Sequence, residues 1–69
     1  MTTGIVKFFK PDRGFGFIRP DDGGNDVFVH ANQVKRAGLP PVHEGMRVGF
    51  DFEPNKRSGK NEATNLRLL

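Results

Sequence analysis

Short runs of β-branched and aromatic residues recur along the chain, separated by glycine, proline and aspartate. Such runs are typical of strands, and the polar breaks between them are typical of turns. No segment repeats its apolar residues at the period of an α-helix, although residues 32–34 allow one helical turn. The pattern predicts five strands, at residues 4–10, 14–19, 26–30, 47–53 and 63–68.

Five strands in 69 residues favour one small barrel, closed or nearly closed, because closure removes exposed sheet edges. No linker or internal repeat divides the chain, so residues 1–69 are expected to form a single domain. A chain this short buries only about 60% of the surface that its unfolded form exposes. It has no cysteine for a disulfide or a thiolate zinc site, so we expect a thin core and marginal stability.

The alternation of side chains along a strand assigns the rings of the second and third strands to a face. Ile18, Val27 and Val29 share one face, and we predict this aliphatic face to be the core. The opposite face ends in polar residues and carries three rings, Phe15, Phe17 and Phe28. The sequence therefore predicts that these three rings face the solvent.

The same alternation treats the first and fourth strands differently. Phe50 and Phe52 share a face with valine in the fourth strand, and both rings are predicted to be core. In the first strand Phe8 and Phe9 must point in opposite directions. Phe8 is predicted to point outward, together with Val6 on the same face.

An outward cluster of phenylalanines is a patch that monomers rarely expose without a use. Cationic or polar side chains edge the cluster, namely Lys7, Lys10, Arg13, Arg19 and His30. Single-stranded nucleic acid fits such a surface, because bases stack on rings for about 1–3 kcal/mol each while cations follow the phosphates. Two alternatives stay open: an inverted face assignment, and an apolar contact surface for a second protein.

The positive net charge is compatible with a polyanion as the binding partner. The net charge is +3, from 11 basic and 8 acidic residues, and the whole excess lies after residue 30. Lys56, Arg57 and Lys60 form a basic loop in that half, which could contact phosphates or could simply be solvated. The first 30 residues carry four basic and four acidic side chains, so their binding of a nucleic acid must depend on more than net charge.

The motifs around the rings resemble a known family. Lys7, residues 13–18 and residues 27–30 resemble the two ribonucleoprotein motifs of the bacterial cold-shock domain family, and the likeness extends over essentially the whole chain. The resemblance implies a five-stranded antiparallel β-barrel of OB-fold type. It further implies binding of single-stranded RNA and DNA with little sequence preference, in an RNA-chaperone or transcription-antitermination role.

The resemblance also implies roles for individual residues. Base stacking would fall to five rings, Phe8, Phe15, Phe17, Phe28 and His30. Polar or phosphate contacts would fall to four residues, Lys7, Lys10, Arg13 and Asp26. The chain departs from the family at Phe8, where tryptophan is usual, and at Lys10, where asparagine is commoner. Ala31 and Leu39 stand where the family has aromatic residues, which makes the stacking surface smaller.

Other functional classes find little support. Ser58 is the chain's one serine and has no evident catalytic partners, and His30 and His43 are isolated, so neither an enzyme nor a metal site is expected. Gly14 and Gly16 lack the third glycine and the helix of a nucleotide loop. We expect no cofactor. No apolar run approaches the roughly 20 residues of a membrane span, so we expect a cytoplasmic protein. We also expect it to be a monomer.

Overall fold

A computed structural model of the chain describes residues 2–40, 42–54, 59 and 61–69. Its elements in chain order are β1 (Thr2–Lys10), β2 (Phe15–Pro20), β3 (Val27–His30), α1 (Ala31–Arg36), β4 (Arg47–Pro54) and β5 (Asn61–Leu68). The strands close into a barrel in the order β1-β2-β3-β5-β4. Four pairings are antiparallel, and the parallel pairing of β3 with β5 completes the barrel. The predicted small five-stranded β-barrel of OB type is confirmed.

The core is small and almost entirely aliphatic. Its buried side chains are Val6, Ile18, Val27, Val29, Val34, Val42, Val48, Phe50, Ala63 and Leu66. The prediction that Ile18, Val27 and Val29 face inward is confirmed, since each is about 1% exposed. Phe50 is fully buried and is the largest side chain of the core. The described residues contain no helix long and apolar enough to cross a membrane.

The prediction that Phe52 is a core ring is wrong. Phe52 is 46% exposed, whereas Phe50, two residues earlier on β4, is 0% exposed. All four residues from Asp51 to Pro54 are exposed, so β4 runs on past the buried section of the barrel. The alternation of side chains shows which residues of β4 share a face. It does not show at which residue that face leaves the core and becomes exposed.

A β-bulge in β1 separates two residues that alternation had placed on one face. Val6 pairs with Ile18 and Phe8 pairs with Phe17, so Lys7 is an extra residue on β1. A bulge of this kind turns the following side chains to the other face. Val6 consequently lies in the core, while Phe8 lies outside as predicted.

A second bulge lies in β5. Gly49 pairs with Arg67 and Asp51 pairs with Thr64, which leaves two residues of β5 opposite the single residue Phe50. One of the two is Asn65, with a φ of 51°, a conformation that asparagine tolerates better than most residues. This extra residue allows Ala63 and Leu66, three positions apart, both to face the core.

Gly16 lets β1 and β2 approach each other closely. A Cβ atom at this position would collide with the Phe8 carbonyl oxygen and would lie 2.6 Å from Cδ2 of Phe9. Phe9 packs its ring against the core on this side. The absence of a side chain at Gly16 therefore leaves room for the Phe9 ring on the inner face of β2. The residues on either side of Gly16, Phe15 and Phe17, carry their rings on the outer face.

Candidate nucleic-acid interface

Four phenylalanine rings and one imidazole from three adjacent strands lie together on the outside of the barrel. We call this set the aromatic platform: Phe8, Phe15, Phe17, Phe28 and His30. Neighbouring ring centroids are 5.5 Å apart for Phe8 and Phe17, 5.6 Å for Phe17 and Phe28, and 5.7 Å for Phe15 and Phe28. The phenylalanines are half-buried because neighbouring rings pack against one another, which leaves the remaining ring surface to the solvent.

The rings of the platform do not share one plane. Phe15 and Phe28 are nearly parallel, with 13° between their planes, whereas Phe17 stands at 87° to Phe15 and 81° to Phe28. Two stacked layers are about 3.4 Å apart in nucleic acid, so a base inserted between two rings needs roughly twice that distance. Phe15 and Phe28, at 5.7 Å, are too close for such insertion. Bases must therefore stack on the outer surface of the platform.

His30 forms the end of the platform and the beginning of α1. Its ring centroid lies 6.3 Å from that of Phe28, and its Nδ1 accepts a hydrogen bond of 3.2 Å from the backbone N–H of Asn32. This bond caps the helix and holds the imidazole in place. A neutral ring that accepts at Nδ1 carries its proton on Nε2, so His30 can also donate a hydrogen bond.

Three of the four predicted polar residues come from β1 and from the position just before β3. Lys7 Nζ lies 3.0 Å from Asp26 Oδ2, and both side chains are partly exposed. An ion pair of this kind contributes little to stability, and its polar atoms stay accessible. Lys10 Nζ lies 5.9 Å from the centroid of the Phe8 ring, within the range of a cation–π contact.

The fourth polar residue, Arg13, lies in the turn between β1 and β2. Its backbone N–H donates to the Lys10 carbonyl at 3.0 Å, and the N–H of Gly14 donates to the same oxygen at 2.8 Å. Gly14 has a φ of 80°, which glycine adopts without strain. The turn thus presents Arg13 as an exposed side chain. Lys56, Arg57 and Lys60 lie outside the described residues.

Ala31 and Leu39, the two positions where the family has aromatic residues, differ in their surroundings. Ala31 begins α1 beside the platform, and its N–H donates to the carbonyl of Gly14 at 2.8 Å. Leu39 is partly buried and packs against the core. Ala31 is thus next to the stacking surface, whereas Leu39 serves the interior in this structure.

The sequence analysis missed a polar recess beside the platform. Phe17, Asn25, Asp26, Gly59 and Asn61 line a recess of about 360 Å³. Only the parallel pairing of β3 with β5, in which Phe28 is opposite Glu62, brings the start of β5 to this position. A parallel pairing leaves no local signal in the sequence, and Asn25 belongs to a segment that was interpreted as a turn.

Metal-binding clusters are not seen in the part of the chain that the structure describes. No three histidine, aspartate or glutamate side chains come together there at a distance suited to a metal ion.

A small closed five-stranded barrel with rings across adjacent strands and cations at their edges defines a class, the OB-type barrels that bind nucleic acid. The model of the 'Cold-shock' DNA-binding domain matches residues 2–69. The chain belongs to the cold-shock domain family, and it is accordingly a nucleic-acid-binding protein.

Relatives of similar length support the assignment. The chain is 52% identical to cold shock protein CspA of Rhizobium meliloti (strain 1021) over 67 residues, which cover 97% of each chain. It is 49% identical to cold shock-like protein CspA of Rickettsia bellii (strain RML369-C) over 99% of each chain. Cold shock-like protein CspG of Escherichia coli (strain K12) is 46% identical over 55 residues, 80% of this chain and 79% of that protein.

Proposed function

We propose that this protein binds single-stranded RNA and single-stranded DNA by stacking unpaired bases on the aromatic platform, with low overall sequence specificity. It acts as an RNA chaperone of the cytoplasm or as a transcription antiterminator, functions as a monomer, and catalyses no reaction. The observation that carries the proposal is the set of rings that point outward from β1, β2 and β3. They lie on the opposite face of these strands from the aliphatic core.

Stacking accounts for both strand selectivity and low base selectivity. Every base has a π-face, so a ring accepts any of them for about 1–3 kcal/mol. Bases in a duplex are already stacked and paired, so their faces cannot stack on the aromatic platform. A protein that binds only the open strand stabilises it by mass action, which is how the platform would melt weak hairpins in RNA.

The polar residues would contribute orientation and charge. Lys10 and Arg13 are exposed beside Phe8 and Phe15 and suit the phosphates of a strand lying across the rings. Lys7 and Asp26 offer a donor and an acceptor to base edges. Lys56, Arg57 and Lys60 are proposed as further phosphate contacts, on the strength of the sequence alone.

The competing function is that of a barrel that docks another protein on its phenylalanine patch. The chain has no tryptophan or tyrosine, so anisotropy of a fluorescein-labelled oligonucleotide is the practical binding assay. We expect single-stranded oligo-U and oligo-dT to bind and duplex of equal length to bind much more weakly. In parallel, the aromatic NMR signals of Phe15, Phe17 and Phe28 should shift on titration with the single strand.

Two results would contradict the proposal. Equal affinity for single strand and duplex would show that the protein binds phosphates and does not stack bases. A complete lack of response to single strands would favour the protein-docking function.

A further inference from the structure

We propose that the recess beside Phe17 is a base-selecting subsite that prefers guanine at one nucleotide position. The inference rests on the proposed function, because the base must first stack on the platform. It adds a preference at one position to a surface that otherwise accepts any base.

The recess has the position and size to receive the edge of a stacked base. It is lined by the platform ring Phe17 and by three polar residues, Asn25, Asp26 and Asn61. Its volume of about 360 Å³ lies within the roughly 300–1,000 Å³ that is usual for small-molecule sites. Gly59 is a further residue of the lining, and a Cβ atom there would meet none of the described residues within 4 Å.

The polar groups of the recess have unused hydrogen-bonding capacity. Within the described ranges, the side-chain amides of Asn25 and Asn61 have no hydrogen-bond partner. Asp26 Oδ2 accepts a hydrogen bond from Lys7 Nζ, and a carboxylate can accept further hydrogen bonds besides this one. The recess therefore offers amide donors and acceptors beside a carboxylate that only accepts, next to an aromatic surface.

This combination fits guanine better than the other bases. Guanine carries two adjacent donors, the N1–H and the N2 amino group, next to the acceptor O6. The donors suit the Asp26 carboxylate and an amide oxygen, and O6 suits an amide N–H. Uracil and thymine offer one donor only. Adenine and cytosine place a ring nitrogen acceptor where guanine has its N1–H, so a carboxylate there would face a lone pair.

The test uses hexauridylate and a set of hexamers in which one uridine at a time is replaced by guanosine, inosine or adenosine. Good base-edge pairs give roughly 1–3 kcal/mol of discrimination, and the lower end corresponds to about fivefold in affinity. We expect guanosine at one position to tighten binding about fivefold or more over hexauridylate. Inosine, which lacks the N2 amino group, should lose a large part of that gain, and adenosine should gain nothing.

Variants locate the preference in the protein. Asn25→Ala and Asn61→Ala should each reduce the ratio of guanosine to uridine affinity at the selected position, and Asp26→Asn should reduce it most. Asn32→Ala is the matched control, because Asn32 is an exposed asparagine on α1 outside the recess. The measured quantity is a ratio within one variant, so a moderate loss of overall affinity does not disturb it. Should Asn61→Ala fail to fold, Asn25→Ala, in the exposed segment between β2 and β3, carries the same test.

The outcomes separate this inference from the proposed function. Equal binding of all hexamers at every position would overturn the guanine subsite while leaving the stacking function intact. A guanosine preference that all three recess variants retain would also overturn it, because the selecting groups would then lie elsewhere. Failure of every hexamer to bind would contradict the proposed function itself.

Discussion

The two faces of β2 and β3 use apolar side chains for opposite purposes. On the inner face Ile18, Val27 and Val29 are about 1% exposed and fill the core. On the outer face the larger rings of Phe15, Phe17 and Phe28 pack against one another and against Phe8, and they stay partly exposed. Four-residue β3 therefore buries Val27 and Val29 in the core and presents Phe28 and His30 on the outer face. The comparison teaches that size and hydrophobicity do not decide which residues are buried here, whereas the pleat of the strand does.

Charge and aromatic surface are also separated along the chain. All five platform residues come from the first 30 residues, which are neutral overall. The remaining residues supply the whole net charge of +3. If stacking dominates, affinity should depend on salt less steeply than it would for a purely cationic groove.

The largest expected effect breaks the inner face. Phe50→Ala removes the largest core side chain, and such a change costs roughly 3–5 kcal/mol of unfolding free energy. In a domain of this size that loss is comparable to the whole stability, so thermal denaturation should show an unfolded or barely folded protein. Phe52→Ala is the matched control on the same strand. Since Phe52 is 46% exposed, this variant should melt close to the wild type.

The next effect breaks the outer face. Phe15→Ala, Phe17→Ala and Phe28→Ala should each retain a cooperative thermal transition, while oligo-dT affinity falls by about 1–3 kcal/mol per ring. Loss of ring-to-ring contacts should lower the melting temperature by much less than Phe50→Ala does. A Phe28→Ala variant that unfolds like Phe50→Ala, with no separate loss of binding, would show that the outer rings stabilise the fold and are not a platform.

Much of this two-faced arrangement was predictable from local pattern. Strict alternation around Ile18, Val27 and Val29 gave both the core face and the outward rings, because β2 and β3 pair without a bulge. The helical turn predicted at 32–34 is present as part of the six-residue α1. Strands that alternate without interruption carry their own face assignment.

The failures of prediction have specific physical causes. The bulge at Lys7 reversed Val6 relative to Phe8, and the exposed end of β4 put Phe52 outside the core. Neither event alters the apolar-polar pattern that alternation uses. The recess with Asn61 depends on the parallel contact of β3 with β5, which joins segments far apart in sequence. Long-range pairing of that kind can be found only in three dimensions.

A charge prediction sharpens the separation of stacking from electrostatics. Lys10→Gln removes a cation beside Phe8 and leaves every ring in place. For single strands the slope of log affinity against log salt is about −0.7 per neutralised phosphate, so the slope should become shallower by about 0.7. Lys35→Gln, in the last turn of α1, should leave the slope unchanged. An unaltered slope in Lys10→Gln would remove Lys10 from the phosphate contacts.

The smallest expected effect extends the outer face by one ring. Ala31 follows His30 directly, begins α1 beside the platform and is partly exposed, so Ala31→Phe offers one more stacking surface. A base on a ring contributes about 1–3 kcal/mol, and ordering the strand and the new side chain offsets part of it. We expect a gain of several-fold to about tenfold in affinity for long oligo-dT, with less gain for oligomers too short to reach residue 31. The salt dependence should barely change, because its slope counts cations and not rings.

Leu39→Phe is the matched comparison. Leu39 packs against the core, so the larger ring should strain the interior and lower the melting temperature without tightening binding. Unchanged affinity in Ala31→Phe would place residue 31 off the path of the strand. A steeper salt slope would show that the substitution rearranged the cations of the rim and did not lengthen the platform.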